Sequence, residues 1–482
     1  MKTEFKIKIS IAALNVLTAT VIAQQHNPPN VVIVLADEWR AQATRFNGDP
    51  NVKTPNLDQL AARAHNFTNT ISCCPVSGPY RASLLTGQYP LSTKFIVNDV
   101  ELDQKTPSMG KIFSEAGYET AYIGKWHLDG HGRSAFIPVD RRQGFDYWKV
   151  MECEHNYNKS FYWGNDDKKE KWDGYDAYAQ TADAIQYIKA KKQSKKPFLM
   201  ILSWGPPHTP FQTAPEAMKN RYRNMKLKLR ENVPDSLKNT AIADLIGYYG
   251  HISALDSCIG NLQKTLKETG IDKNTIFVFT SDHGAMVRSH TYVDKQRPYE
   301  ESINVPMLIN YPNLLGNKGQ KVDMLFNTPD ILPTILGLCH LAIPKTVEGQ
   351  DKSAIITNKE KDTTGGVLIA CYHPFGQWPA KDGGKEYRGI RTKQYTYVKD
   401  LKGPWLLFDN KRDPFQLNNL VDNPGFLKLR NELEIKLTGL LAKANDTFLP
   451  GIEYINKWGY VLDKTGTPYH LKINFQGKPI SE

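Results

Sequence analysis

Short, unbroken apolar runs recur along the chain, separated by polar stretches with helical periodicity. NVVIVLA (30–36), ETAYIG (119–124), PFLMILS (197–203), TIFVFTS (275–281) and PMLIN (306–310) each have the length of a strand. A strand that is apolar on both faces is one that helices cover on both sides. The segments between them supply those helices: TPNLDQLAARA, SMGKIFSEAG, AYAQTADAIQYIKAKK, IADLIGYYGHISALDSCIGNLQKTLKETG and TPDILPTILGL. Strand, helix and strand in succession predict an α/β fold with a large, mainly parallel sheet sandwiched by helices. After about residue 360 the texture changes. KEYRGIRTKQYTYVKD, WLLFDN and KLRNELEIKLTGLLAKA predict a smaller C-terminal antiparallel sheet plus one helix. The expected division is a main domain over 24–360 and a C-terminal α+β subdomain over 361–482.

The first residues read differently. Lys2, Lys6 and Lys8 precede the apolar run IAALNVLTATVIA, which ends at Ala23. This is the pattern of a secretory signal peptide over 1–23, and it predicts export. The run is short for a membrane span, and no further span is expected downstream. The formal charge of +11 becomes +9 once three lysines and Glu4 leave with the leader. The basic residues are scattered, without the aromatic-interleaved strip that nucleic acid would favour, so no nucleic-acid partner is expected. The excess charge suits solubility or an anionic substrate. Six cysteines in 482 residues do not make a disulfide framework, although one or two bridges are compatible with export.

Chemistry-bearing residues follow four of the apolar runs. Asp37 and Glu38 follow the first, Lys125 and His127 the second, His208 the third, and Asp282 and His283 the fourth. In an open parallel sheet, sites form outside the carboxyl ends of the strands, so these residues are expected to share one crevice. Asp37, Glu38, Asp282 and His283 offer an oxygen-rich set with one nitrogen, suited to calcium or magnesium. Lys125, Lys295 and Arg81 with such a cation would cradle a tetrahedral oxyanion. His127 and His208, the latter in the proline-flanked PPHTPF loop, would serve as general acid and general base.

The stretch SGPYRASLLTG (77–87) sets a serine on a turn that leads into a helix. Such a serine is placed to act on an anion but needs activation, and no GxSxG elbow surrounds it. Ser77-Gly78-Pro79-Tyr80-Arg81, followed by Ala-Ser-Leu-Leu-Thr-Gly, resembles the signature of the formylglycine-dependent sulfatases of the alkaline-phosphatase superfamily. TPNLDQLAARAHNFTN, resembling that family's helix before the signature, is followed in the family's order by GKWHL, PPHTPF, TSDHG, KQRPYEES, DILPTIL and RGIRTKQYTYV. The resemblance implies an alkaline-phosphatase/sulfatase-like fold over most of the chain. It implies that Ser77 is oxidised to Cα-formylglycine (3-oxoalanine), whose hydrate attacks sulfur with one hydroxyl and expels sulfate with the other. It implies a calcium ion held by Asp37, Glu38, Asp282 and His283 that also touches residue 77. Arg81 would steady the diol, and Lys125 and Lys295 would bind sulfate oxygens. His208 would protonate the leaving alcohol, and His127 would assist collapse of the sulfated enzyme. Glu38 and His283 depart from the family's commoner Asp-Asp and Asp-Asn pairs. Arginine does not stand four residues after Cys73 or Cys74, so neither thiol fits the signature. The serine form implies a bacterial enzyme, matured by a radical-type sulfatase-maturing enzyme and sent to the periplasm or secreted.

The leaving group is less legible. Trp39, His131, Arg133, Glu154, His155, Trp163, Trp204, His373 and Trp378 fall in or near expected loops, where aromatics with polar neighbours suit a sugar ring. The family resemblance favours a sulfated carbohydrate. Two rival readings are a two-zinc phosphatase or phosphodiesterase of the same superfamily and a non-catalytic glycan-binding relative. The first lacks support from the SxPxR turn and paired lysines, and the second would be marked by a lost nucleophile or histidine.

Overall fold

The computed structural model describes residues 27–480. The expected leader, 1–23, lies outside the described residues. Among them, eleven strands form one sheet: β1 (Asn30–Asp37), β2 (His65–Ile71), β3 (Glu119–Lys125), β4 (Tyr147–Met151), β5 (Phe161–Trp163), β6 (Lys169–Lys171), β7 (Phe198–Pro207), β8 (Thr275–Ser281), β9 (Asn304–Val305), β10 (Met307–Asn310) and β11 (Gln320–Asn327). The order across the sheet is β11-β2-β10-β8-β1-β7-β3-β4-β5-β6, with β9 paired to β2. From β8 through β1, β7 and β3 to β4 every neighbouring pair is parallel.

The apolar runs make these central strands because both their faces are covered. Alternate residues of a strand point to opposite sides. Val31, Ile33 and Leu35 of β1 enter a core shared with Leu84 and Leu85 and with Ile331, Leu332 and Ile335. Val32, Val34 and Ala36 enter a second core with Ala184 and Ile188 and with Leu245, Tyr248 and Ile252 of the helix Lys238–Thr269. Each fully buried Val, Leu or Ile contributes about 1.5–3 kcal/mol relative to exposure, so this two-sided burial dominates the stability of the main body.

The structure corrects three local expectations. PMLIN is a strand, but β10 runs antiparallel to both β8 and β2. HNFTN is not the end of a helix: the helix stops at Ala61, and His65–Ile71 becomes β2. Its residues are buried on both faces between β10 and β11, and that tertiary context overrides the polar character of the segment. All six cysteines are free and buried, so no disulfide forms among them.

A second sheet is antiparallel: β12 (Val367–Cys371), β13 (Tyr387–Arg391), β14 (Tyr395–Asp400) and β15 (Gly403–Asp409) in sequential order. One face packs on the helix Leu427–Lys443 through Leu433, Leu437 and Leu441. The other packs on Ile71, Ile303 and Leu325 of the main body. After the helix Gly451–Trp458, a hairpin of β16 (Val461–Leu462) and β17 (Pro468–Tyr469) leads the chain back toward the carboxyl ends of the central strands. No helix among the described residues is long and apolar enough to cross a membrane.

Candidate active site

Four adjacent parallel strands deliver the chemistry. β1 ends at Asp37, β3 at Lys125, β7 just before His208 and β8 just before Asp282. Because β8, β1, β7 and β3 are neighbours, residues up to 245 positions apart meet at one edge. Ser77 opens the helix Ser77–Thr86 beside them. Ser77, Lys125, His127, His208 and Lys295 all line a cavity of about 430 Å³. The crevice expected from strand-end placement is therefore present.

At its floor, the Ser77 hydroxyl lies 3.1 Å from His283 Nε2 and 3.5 Å from Asp37 Oδ2. Asp37, Asp282 and His283 each bring a ligand atom within 4.8 Å of the others. His283 Nε2 stands 3.6 Å from Asp37 Oδ1 and 3.6 Å from Asp282 Oδ1. Its Nδ1 sits 3.0 Å from the Gly284 carbonyl, a contact made by donating Nδ1–H, which leaves the Nε2 lone pair facing the carboxylates. Burial lowers His283 to about 4, keeping the ring neutral. Asp37 Oδ1 is buried with no hydrogen-bond partner. A buried carboxylate oxygen left over beside a second carboxylate and a neutral imidazole fits a hard divalent cation of the calcium class.

The cationic side chains balance this charge. Arg81 donates to Asp37 Oδ2 at 3.3 Å and to Asp282 Oδ2 at 3.1 Å, and it is itself held by Ser203 and the Lys125 carbonyl. Lys125 Nζ lies 2.5 Å from Asp37 Oδ2. Burial alone would raise Asp37, but Lys125 and the neighbouring cations outweigh it and keep the carboxylate ionised.

Glu38 stands apart from the three-residue set. Its backbone is left-handed, with φ 68°, and its Oε2 lies 3.3 Å from His208 Nε2 and 3.8 Å from Lys295 Nζ. Read from sequence as a fourth ligand, Glu38 lies outside the three-residue set and faces the imidazole and ammonium on the cavity wall, with both carboxylate oxygens buried and without a hydrogen-bond partner. The turn after β1 sends consecutive side chains to different sides of the site, which adjacency in sequence could not reveal.

His208 Nδ1 contacts the Thr209 carbonyl at 2.9 Å, which aims Nε2 at Lys295 Nζ, 2.5 Å away. Burial first, then Lys295, holds His208 well below its usual range. His155 stacks on it, with ring centroids 4.6 Å apart. His127, also left-handed at φ 61°, has Nε2 3.5 Å from Asp99 Oδ1. Asp99 accepts two hydrogen bonds from Arg133, at 2.8 and 2.7 Å. Burial would raise Asp99, but Arg133 outweighs it and holds the carboxyl well below its usual range.

Sequence reasoning missed Asp99, whose Asn-Asp pair after FIV reads as an ordinary turn. It also missed the C-terminal segment, from which Asp463, Thr465, Thr467, Tyr469 and Phe475 reach the cavity. Of the expected leaving-group contacts, Arg133 and His155 line the cavity, whereas Trp39 and Trp204 are fully buried core residues.

The sulfatase family model matches residues 29–341, and the model of the N-sulphoglucosamine sulphohydrolase C-terminal region matches residues 288–443. The chain is 45% identical over 465 residues to the ulvan-active sulfatase of Formosa agariphila, covering 95% of this chain and 90% of that protein. It is 32% identical to the endo-4-O-sulfatase of Bacteroides thetaiotaomicron, covering 83% of this chain and 89% of that one. The crystal structure of yidJ from Bacteroides fragilis, assigned as a sulfatase, superposes with a TM-score of 0.81 at 30% identity, covering 89% of this chain and 98% of that chain. The family model spans every strand that carries the site, and the identity runs nearly end to end: this chain belongs to the sulfatase family of sulfuric ester hydrolases.

Proposed function

We propose that the enzyme hydrolyses a sulfate ester on a sulfated glycan, with residue 77 as the nucleophile. The observation that carries this reading is the Ser77 hydroxyl on the cavity floor, between a carboxylate-imidazole set and a wall bearing Lys125, His127, His208 and Lys295. Oxidised to Cα-formylglycine by a radical-type maturing enzyme and hydrated, residue 77 supplies a geminal diol, a stronger nucleophile than an alcohol. Asp37, Asp282 and His283 would hold a calcium ion there, adding positive charge against the sulfate.

The remaining roles follow from position. Lys125 and Lys295 bind sulfate oxygens from the cavity wall. Arg81 fixes the Asp37 and Asp282 carboxylates from beneath. His208 delivers a proton from Nε2 to the departing alcohol. The resting ring is neutral with its proton on Nδ1; the negative charge of a bound ester beside Nε2 raises its proton affinity, so Nε2 takes up a proton from solvent as the ester binds and then passes that proton to the alcohol. His127, backed by Asp99, accepts a proton as the sulfated enzyme collapses.

The glycan reading rests on the cavity wall and on the relatives. Phe375, Tyr469 and Phe475 offer faces for a sugar ring, and Arg133 and Lys381 offer charge for a carboxylate or a second sulfate. The named relatives include an ulvan-active sulfatase and an endo-4-O-sulfatase. The positively charged head and apolar run of residues 1–23 support export to the periplasm or beyond.

Sulfate release from ulvan and glycosaminoglycan oligosaccharides, compared between the wild type and Ser77→Ala, tests the reading. Matured wild type should release sulfate from at least one, and its residue 71–91 peptide should be lighter by two hydrogens. Ser77→Ala should fold normally and release none. An active Ser77→Ala enzyme would overturn the mechanism.

A further inference from the structure

Among the described residues, two groups bring three potential metal-ligand atoms within 4.8 Å of one another. One is the set at the cavity floor. The other is Glu101, His131 and His470, which joins the loop after residue 98 to the C-terminal segment. Glu101 Oε2 lies 3.6 Å from His470 Nε2 and 3.9 Å from His131 Nε2. These separations are too long for good hydrogen bonds. A tetrahedral zinc ion with bonds of about 2.0–2.1 Å sets its ligand atoms about 3.3 Å apart, so Glu101 would close on each imidazole by well under an ångström, and the three ligand atoms start within 4.8 Å of one another.

The surroundings fix the ligands as a metal site does. His131 Nδ1 is 2.7 Å from the Asp129 carbonyl, so a proton is held there and Nε2 is the nitrogen left facing Glu101. Asp129 is itself clamped by Arg141 at 2.7 and 3.2 Å. The turn that carries His131 is tied by Glu152, which accepts from the N–H groups of Leu128, Asp129 and Gly130. Both ring nitrogens of His470 are shielded from solvent without a hydrogen-bond partner. Gly130 has φ 66°, and a Cβ there would stand 2.6 Å from His470 Cε1. Only glycine both adopts that backbone and lets the ring approach.

We propose that Glu101, His131 and His470 form a structural site for a divalent transition metal of the zinc class, tying residues 461–480 to the loop that carries Arg133. Two imidazoles and one carboxylate suit zinc better than calcium, and water from the partly open side completes four ligands. The consequence is for the cavity wall. Thr465, Thr467 and Tyr469 precede His470, Phe475 follows it, and all four line the cavity. The Arg133 N–H also donates to the Phe475 carbonyl at 2.8 Å. The metal would therefore hold the substrate-facing segment in place without touching the reacting atoms.

The test needs no substrate, so it stands apart from the reading of the cavity. Full-length protein is stripped with EDTA and reloaded with calcium, and excess calcium is removed. Zinc is then titrated by calorimetry and cobalt by visible absorption. The wild type should take up one further ion per chain and gain protease protection over 461–480. His470→Ala and His131→Ala should weaken uptake by roughly 100-fold or more and show no gain in protection. Glu101→Gln, which keeps the side chain's size, should weaken it too, with circular dichroism confirming that each variant folds. Uptake equal in the wild type and the variants would overturn the proposal. So would a calcium-loaded wild type that binds no zinc, leaving the two imidazoles bridged to Glu101 by protons alone.

Discussion

At the residue scale, the site depends on side chains whose neighbours fix their direction. Asp99 is the clearest case. It backs His127 at 3.5 Å and is gripped twice by Arg133. Burial pulls His127 down, and Cys153 and then the contact to Asp99 partly restore it. In Asp99→Asn the Asp99 share of that restoring effect is gone, so His127 should hold its proton less tightly. The expected outcome is a kcat about 10–100-fold lower with little change in KM, and an acidic limb of the pH–rate profile displaced to lower pH. Steady-state kinetics across pH checks this, and an unmoved limb would remove Asp99 from that role. Residue types at this scale were legible: Ser77, Arg81, Lys125, His127, His208, Lys295, Asp37, Asp282 and His283 all fall at one cavity or its floor. Their pairings were not. That Glu38 faces His208 rather than Asp282's partners depends on one left-handed residue.

At the element scale, short segments lock the site's backbone. Gly124 lies in β3 immediately before Lys125, with φ 102°, and a Cβ there would meet the Ser203 carbonyl oxygen of β7 at 2.0 Å. Gly124→Ala must force β3 from β7, so it should destabilise by about 2 kcal/mol or more and reduce activity by displacing Lys125 and His127. Thermal melting and sulfate release together check this. The four-residue helix Glu300–Ile303 acts as a staple. Glu300 pairs with Arg391 of β13 at 2.7 Å, and Glu301 pairs with Arg230 at 2.7 Å and accepts from Asn232. Burial would raise Glu301, but Arg230 and Asn232 outweigh it and lower the carboxyl from 4.5 to about 2. A depressed folded value adds stability, here about 3 kcal/mol, that is complete above pH 4.5 and lost as pH falls through about 2. The melting temperature of Glu301→Gln should therefore trail the wild type by a constant margin above about pH 5 and converge with it in acid. A margin independent of pH would count against the ion pair.

At the scale of the whole molecule, the last twenty described residues return across the sheet to wall the cavity through Asp463, Thr465, Thr467, Tyr469 and Phe475. A chain ended after Tyr460 should keep its fold, because the cores are formed by earlier residues apart from a few contacts. It should retain turnover of a small sulfate ester while its KM for an oligosaccharide rises about tenfold or more. Equal losses on both substrates would place the segment in the chemistry instead. The sequence by itself determined that these runs are buried on both faces within a helix-covered sheet, because they carry no polar face for solvent, and it determined which residues stand at the strand ends. It also carried the SxPxR turn. Only the tertiary structure decided the antiparallel direction of β10, the strand made from HNFTN, the partners of Glu38 and Asp99, and the return of the C-terminal segment. Local pattern reports how many faces of a segment are buried. Direction, pairing and long-range docking are set by contacts between residues hundreds of positions apart, where no period in the sequence records them.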